Sequence, residues 1–112
     1  MLRSKSSILI SAGFPYIIPE FILKKFRVVI NCHPGKLPKY KGYYSLNLAI
    51  NNNENFFYST IHYMNEKIDS GKKILELKFS GKNMTLNQVQ KIMLGIIEPH
   101  ALFLALKRIY LI

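Results

Sequence analysis

The chain has 112 residues, an apolar fraction of 49% and a formal net charge of +10 at neutral pH, which suits one small domain with its own core. The basic balance favours an anionic partner such as a nucleotide, a phosphorylated sugar, RNA or a membrane surface, without choosing among them. A single cysteine excludes an internal disulfide and offers no zinc-ligand spacing, so a reducing compartment, the cytoplasm, is expected.

Arg3 and Lys5 precede Ile8-Leu9-Ile10, an apolar run too short for a secretory signal. No apolar stretch free of charge approaches the roughly 20 residues of a bilayer span, so a soluble chain with no membrane partner is expected. Ile8 to Gly13 is brief, apolar and ended by glycine, which predicts a buried strand. Pro19 can open a short helix over Glu20 to Phe26, with Glu20 in its positive first turn and Lys24 and Lys25 near its negative end. Arg27 to Asn31 has the β-branched density of a second buried strand, broken by Pro34-Gly35 directly after His33.

Gly35 to Tyr43 carries glycines, Pro38 and three lysines and predicts an irregular loop, after which Ser45 can cap a helix from Leu46 to about Asn52. Phe57 to Met64 and Lys73 to Phe79 read as two more strands joined by the Asn65 to Lys72 turn. Thr85 with Gln88 forms a capping-box signal, followed by Leu86, Val89, Met93, Ile96 and Ile97 at helical spacing. This helix should pack on the sheet and end or kink at Glu98, because Pro99 lacks the N–H a helix needs. A second apolar stretch then runs from Ala101 to Leu106.

Asn31 and His33 stand two positions apart at the end of a predicted strand, so both side chains project from one face and emerge at its carboxyl end, where open α/β sheets hold ligands. Cys32, between them, points to the opposite face as a buried structural thiol. Taken alone, Asn31 beside Pro-Gly is an ordinary turn residue, His33 a satisfied histidine and Asp69 a loop cap. Their ordered conjunction gives an amide, an imidazole and a carboxylate suited to carbonyl chemistry. His62, in the third strand, reads as a structural histidine bonding near the site, and three unpaired histidines argue against a metal.

At Asn31-Cys32-His33-Pro34-Gly35-Lys36-Leu37-Pro38-Lys39-Tyr40-Lys41-Gly42, Ser59-Thr60-Ile61-His62-Tyr63 and Ile68-Asp69-Ser70-Gly71 the chain resembles the formyltransferases that use formyltetrahydrofolate as donor. The resemblance spans about residues 8 to 79. It is nearest to the branch that formylates amino groups of nucleotide-linked sugars, related to methionyl-tRNA and glycinamide ribonucleotide formyltransferases. It implies an α/β fold, the C-terminal part of a Rossmann-type open sheet with flanking helices. Residues 1–112 would form one partial catalytic domain, its helical segment at about 85–110, because such enzymes begin with further βα units.

The resemblance also implies catalysis by Asn31, His33 and Asp69, and 10-formyltetrahydrofolate lying along Tyr16, Ile17 and Ile18 and along Asn65, Glu66, Lys67 and Ile68. Lys36, Lys39, Tyr40, Lys41 and Gly42 form the expected acceptor wall, basic and aromatic in character. Tyr58-Ser59 stands where the family commonly has glycine. The expected activity is formyl transfer to an amino sugar nucleotide, with a homo-oligomer or a complementing polypeptide as partner. The alternatives are a methionyl-tRNA formyltransferase-like fragment and an inactive remnant whose basic surface binds nucleotides or RNA.

Overall fold

The computed structural model describes residues 7–14, 16–65 and 69–110. Among these residues four strands, β1 (Ile8–Ala12), β2 (Val28–His33), β3 (Phe56–Tyr63) and β4 (Lys73–Ser80), form one open sheet in sequence order. β1 and β2 are parallel, whereas β2–β3 and β3–β4 are antiparallel. The helices are α1 (Glu20–Leu23), α2 (Ser45–Asn51), α3 (Leu86–Ile92) and α4 (Glu98–Tyr110). The architecture is the expected α/β class, as a mixed sheet with flanking helices.

Strand parity sorts the sheet into two chemically distinct faces. Ile30, Cys32, Ile61 and Ile74 join Ala101 and Ala105 of α4 in one buried cluster. The two alanines leave room for the helix to approach the sheet closely, and fully burying Ile30 and Ile61 stabilises by roughly 1.5–3 kcal/mol each. Asn31 and His33 alternate with this set and face the other way, opposite His62 and Thr60 of β3. A second cluster, of Tyr40, Leu46, Ala49, Phe57, Val89 and Met93, ties α2 and α3 to the loop that follows β2.

Four local expectations change. α1 stops at Leu23, with Pro19 before its first turn as N-cap and Lys24 as C-cap. Ser45 is not the cap of α2: Tyr44 holds that place without a side-chain bond, and Ser45 is the first helical residue, its hydroxyl turned back onto carbonyls of the preceding loop. Pro99 does not end the helix. Met93–Ile97 widens into a π-helical turn, in which the Glu98 N–H bonds the Met93 carbonyl five residues back. The wider turn relieves the clash that a proline ring makes with the carbonyl behind it.

The fourth change follows from that turn. Helical structure runs without interruption from Leu86 to Tyr110, and those 25 residues are long and apolar enough to cross a bilayer by length and composition. The expectation was of no charge-free run of this length, and Lys91, Glu98, Lys107 and Arg108 do interrupt this one; what changes is that the helix passes Pro99 unbroken. α4 nevertheless packs on β3 and β4, as a helix covering a sheet does.

Candidate active site

Cross-strand register brings the first contacts together. Asn31 lies directly opposite His62, and His33 opposite Thr60. The Asn31 amide nitrogen approaches His62 Nε2 at 3.1 Å and Asp69 Oδ1 at 3.3 Å. Asp69 follows β3 in the chain and has a left-handed backbone (φ 48°). Its Oδ2 accepts from the Gly42 N–H at 2.7 Å and stands 3.4 Å from His33 Nδ1, while Oδ1 stands 3.4 Å from His62 Nε2. One carboxylate thus bridges the loop after β2, two imidazoles and an amide.

Acceptors fix both tautomers, because a carbonyl oxygen can only receive a proton donor. His33 Nε2 lies 2.5 Å from the Tyr40 carbonyl and so carries the hydrogen, which in the neutral ring leaves the Nδ1 lone pair toward Asp69. His62 Nδ1 lies 2.9 Å from the Tyr63 carbonyl, so Nε2 is free to accept from Asn31. That orients the Asn31 amide with its nitrogen toward His62 and Asp69. Ser45 Oγ donates to the Gly42 carbonyl at 2.7 Å and sits 3.2 Å from His33 Nε2, bracing the ring from behind.

Electrostatics follow the same geometry. Burial pulls the His33 pKa below its usual value, outweighing the opposing influence of the Tyr40 carbonyl and the Asp69 charge, and His62 adds to the lowering. The ring is therefore neutral near pH 7. Burial pushes the Asp69 carboxyl upward, but the two neighbouring imidazoles and the Gly42 N–H leave it below the usual carboxylate range. A neutral base beside an ionised acid results. Burial, with Glu98 adding, pushes the Cys32 thiol up to about 12, so it is not a nucleophile.

Asn31, His33, His62 and Asp69 open into one cavity of about 580 Å³, a size suited to a small organic ligand. Tyr16, Ile17, Ile18, Asn65 and Gly42 line it too, so these expected ligand contacts share the cavity with Asn31, His33 and Asp69. Glu66, Lys67 and Ile68 lie outside the described residues. The basic wall is placed elsewhere: Lys36 pairs with Glu76 at 3.3 Å and Lys39 with Glu54 at 2.9 Å. With Tyr40 they line a separate cavity of about 330 Å³.

Tyr40 meets His33 through its backbone carbonyl. Its buried side chain donates to Glu54 instead. Lys41 is exposed and lines neither cavity. In place of the lysines, Tyr43, Tyr44 and Asn47 line the larger cavity, with Gln90 and Leu94 from the helical segment. Reading the sequence did not single out Asn47, Gln90 or Leu94, whose spacing matches ordinary helix faces. Among the described residues, no group of three His, Cys, Asp or Glu is arranged to hold a metal ion.

Comparison with known proteins settles the lineage. The formyl transferase family model matches residues 2–92. The chain belongs to the formyl transferase family. It is 33% identical over 72 residues to the phosphoribosylglycinamide formyltransferase of Haemophilus influenzae, which covers 63% of this chain and 34% of that one. Its fold matches the phosphoribosylglycinamide formyltransferase of Campylobacter jejuni with a TM-score of 0.79 at 23% identity, over 92% of this chain and 54% of that one. It also matches WlaRD, a sugar 3N-formyl transferase solved in the presence of dTDP and 5-N-formyl-THF, with a TM-score of 0.75 at 28% identity, over 91% and 37%. The chain thus spans between a third and about half of each of these relatives.

Proposed function

We propose that this chain carries the catalytic centre for formyl transfer from 10-formyltetrahydrofolate to the amino group of a nucleotide-linked amino sugar. The single observation that carries the reading is the convergence of Asn31, His33 and Asp69 on one cavity, within a chain of this family. The donor supplies the formyl carbon when bound. Phe14, Tyr16 and Ile17 offer it aromatic and apolar contacts, since all three are exposed and line the cavity.

In this reading the acceptor nitrogen attacks the formyl carbon, and the carbonyl oxygen gains negative charge. Asn31 Nδ2 donates to that oxyanion by giving up its long bond to Asp69, and keeps its bond to His62 as an anchor. His33 Nδ1 takes the proton from the attacking nitrogen, and the imidazolium so formed lies beside Asp69 Oδ2. Collapse of the intermediate breaks the bond from the formyl carbon to the folate nitrogen, which leaves with a proton returned from His33. The Tyr40 carbonyl and Ser45 hydroxyl hold the ring in the required tautomer throughout.

Likeness to WlaRD supports the sugar acceptor, and Tyr43 and Tyr44 give the cavity rings on which a base or sugar stacks. A second reading, a phosphorylated glycinamide acceptor, is favoured by the Haemophilus influenzae relative. The test is a formyl-transfer assay with 10-formyltetrahydrofolate against dTDP-linked amino sugars and glycinamide ribonucleotide in parallel. Asn31→Ala should lower kcat by on the order of 10²-fold, about 3 kcal/mol of barrier, with the fold intact by circular dichroism. Turnover unchanged by both Asn31→Ala and His33→Ala would sink the reading.

A further inference from the structure

The smaller cavity, of about 330 Å³, has a chemistry of its own. It shares one loop with the larger cavity: Tyr40 turns its carbonyl to His33 and its side chain into this second space. Pro34 and Leu46 line both. The loop between them is pinned, because the Tyr40 carbonyl holds His33 Nε2 and Thr60 Oγ1 donates to the Gly35 carbonyl at 2.6 Å. A Cβ at position 35 would stand 2.8 Å from His33 Nε2 and 2.9 Å from the Tyr40 carbonyl oxygen, so only glycine lets the loop close this tightly.

Cations and rings alternate around this space. The Lys36 ammonium stands 4.3 Å from the centre of the Tyr58 ring, and the Lys39 ammonium 5.2 Å from that of Tyr40. Lys78 stands 4.8 Å from the centre of the exposed Phe56 ring, which also lines the cavity. Phe56 and Tyr58 are two positions apart on β3 and so share a face. The turn from α2 into β3 is fixed by the Asn53 and Glu54 N–H groups, which donate to the Ile50 and Ala49 carbonyls at 3.0 and 3.1 Å. It brings Asn53, Glu54 and Asn55 into the lining. The Tyr40 hydroxyl and the Lys39 ammonium both donate to the Glu54 carboxylate and hold it there.

We propose that this cavity is a second ligand site, which takes a small phosphorylated aromatic molecule of mononucleotide size. Charge selects the anion. Among the described residues, the ammoniums of Lys36, Lys39, Lys73 and Lys78 stand against the two carboxylates of Glu54 and Glu76. Their ion pairs are exposed, the Lys36 side chain by 45% and that of Lys39 by 62%, and such pairs are weak enough to exchange for a phosphate dianion. Phe56 and Tyr58 select an aromatic ligand, to which they offer edge or offset contact. Glu54 accepts, and Asn53 and Asn55 both accept and donate, toward hydroxyls such as a ribose carries. The volume lies near the small end of ordinary ligand sites, which suits one nucleotide and not a chain of them. Occupancy needs neither folate nor formyl acceptor, so the inference stands apart from formyl transfer.

The test is isothermal titration calorimetry of the full chain with AMP, adenosine, ribose 5-phosphate and inorganic phosphate, with amide chemical shifts to locate the bound molecule. AMP should bind at least roughly tenfold tighter than any of its parts and move the amides of Asn53, Asn55 and Tyr58. Lys36→Gln and Lys39→Gln should each weaken it about tenfold, the loss of one charge-assisted bond, and Tyr58→Leu should weaken it too. Both lysines are exposed, so their variants keep the proposal testable even if Tyr58→Leu misfolds. Tyr44→Ala, at the larger cavity, should leave the three amide shifts unchanged. Four results each overturn the proposal: no binding of AMP at millimolar concentration, shifts confined to Tyr43, Tyr44 and Asn47, inorganic phosphate bound as tightly as AMP, or a single-stranded oligonucleotide bound where AMP is not.

Discussion

His33 is a base whose charge is governed by its surroundings. Burial lowers its folded-state pKa, the Tyr40 carbonyl and Asp69 resist that lowering, and the neutral form prevails at neutral pH. In the unfolded chain the ring protonates near its ordinary value of about 6.5. As pH falls below that value the unfolded state binds a proton that the folded state refuses, so stability declines through this window. Asp69 acts lower on the scale. Its depressed pKa contributes stability above the unfolded carboxylate value, and that contribution is lost as pH falls through the folded value. Denaturation midpoints measured against pH should therefore show two falling limbs. His33→Gln should flatten the upper limb and weaken the lower one, since His33 is among the groups that hold the Asp69 carboxyl down.

At the level of the elements, β3 carries an anomaly with a measurable effect. Ser59 is fully buried and its hydroxyl has no partner among the described residues. An unsatisfied buried hydroxyl costs about 1–3 kcal/mol, and removing it recovers part of that. Ser59→Ala should raise the unfolding free energy by about 1 kcal/mol, read from the urea midpoint, and Ser59→Thr should lower it.

The strands were legible in the sequence because period-two alternation and the Pro34-Gly35 break are local signals, and they placed Asn31 and His33 on one face without reference to the rest of the chain. What lay beyond reach depended on distant partners. Lys36 and Lys39 looked like an acceptor wall until Glu76 and Glu54, far along the chain, drew them to another cavity. Ser45 looked like a helix cap because its bonds to Tyr40 and Gly42 depend on the loop's path. Pro99 looked like an end or a kink because nothing local announces a π-helical turn that carries the helix past it.

For the molecule as a whole, the sheet separates chemistry from support. One face presents the amide, imidazoles and carboxylate, and the other is held down by α4 through small residues. β2 serves both at once. Within three consecutive positions it offers Asn31 and His33 to the cavity and Cys32 to the core, so movement of the strand is felt on both sides. The lone sulfur is therefore a natural gauge of how firmly α4 is seated. Alkylation by iodoacetamide, followed by mass spectrometry, should be slow in the native chain, because the thiol is 2% exposed and its pKa stands at about 12. It should quicken in Ala105→Asp, which loosens the helix, and stay slow in Asn31→Ala, turning the sulfur into a clock for helix detachment that runs independently of turnover.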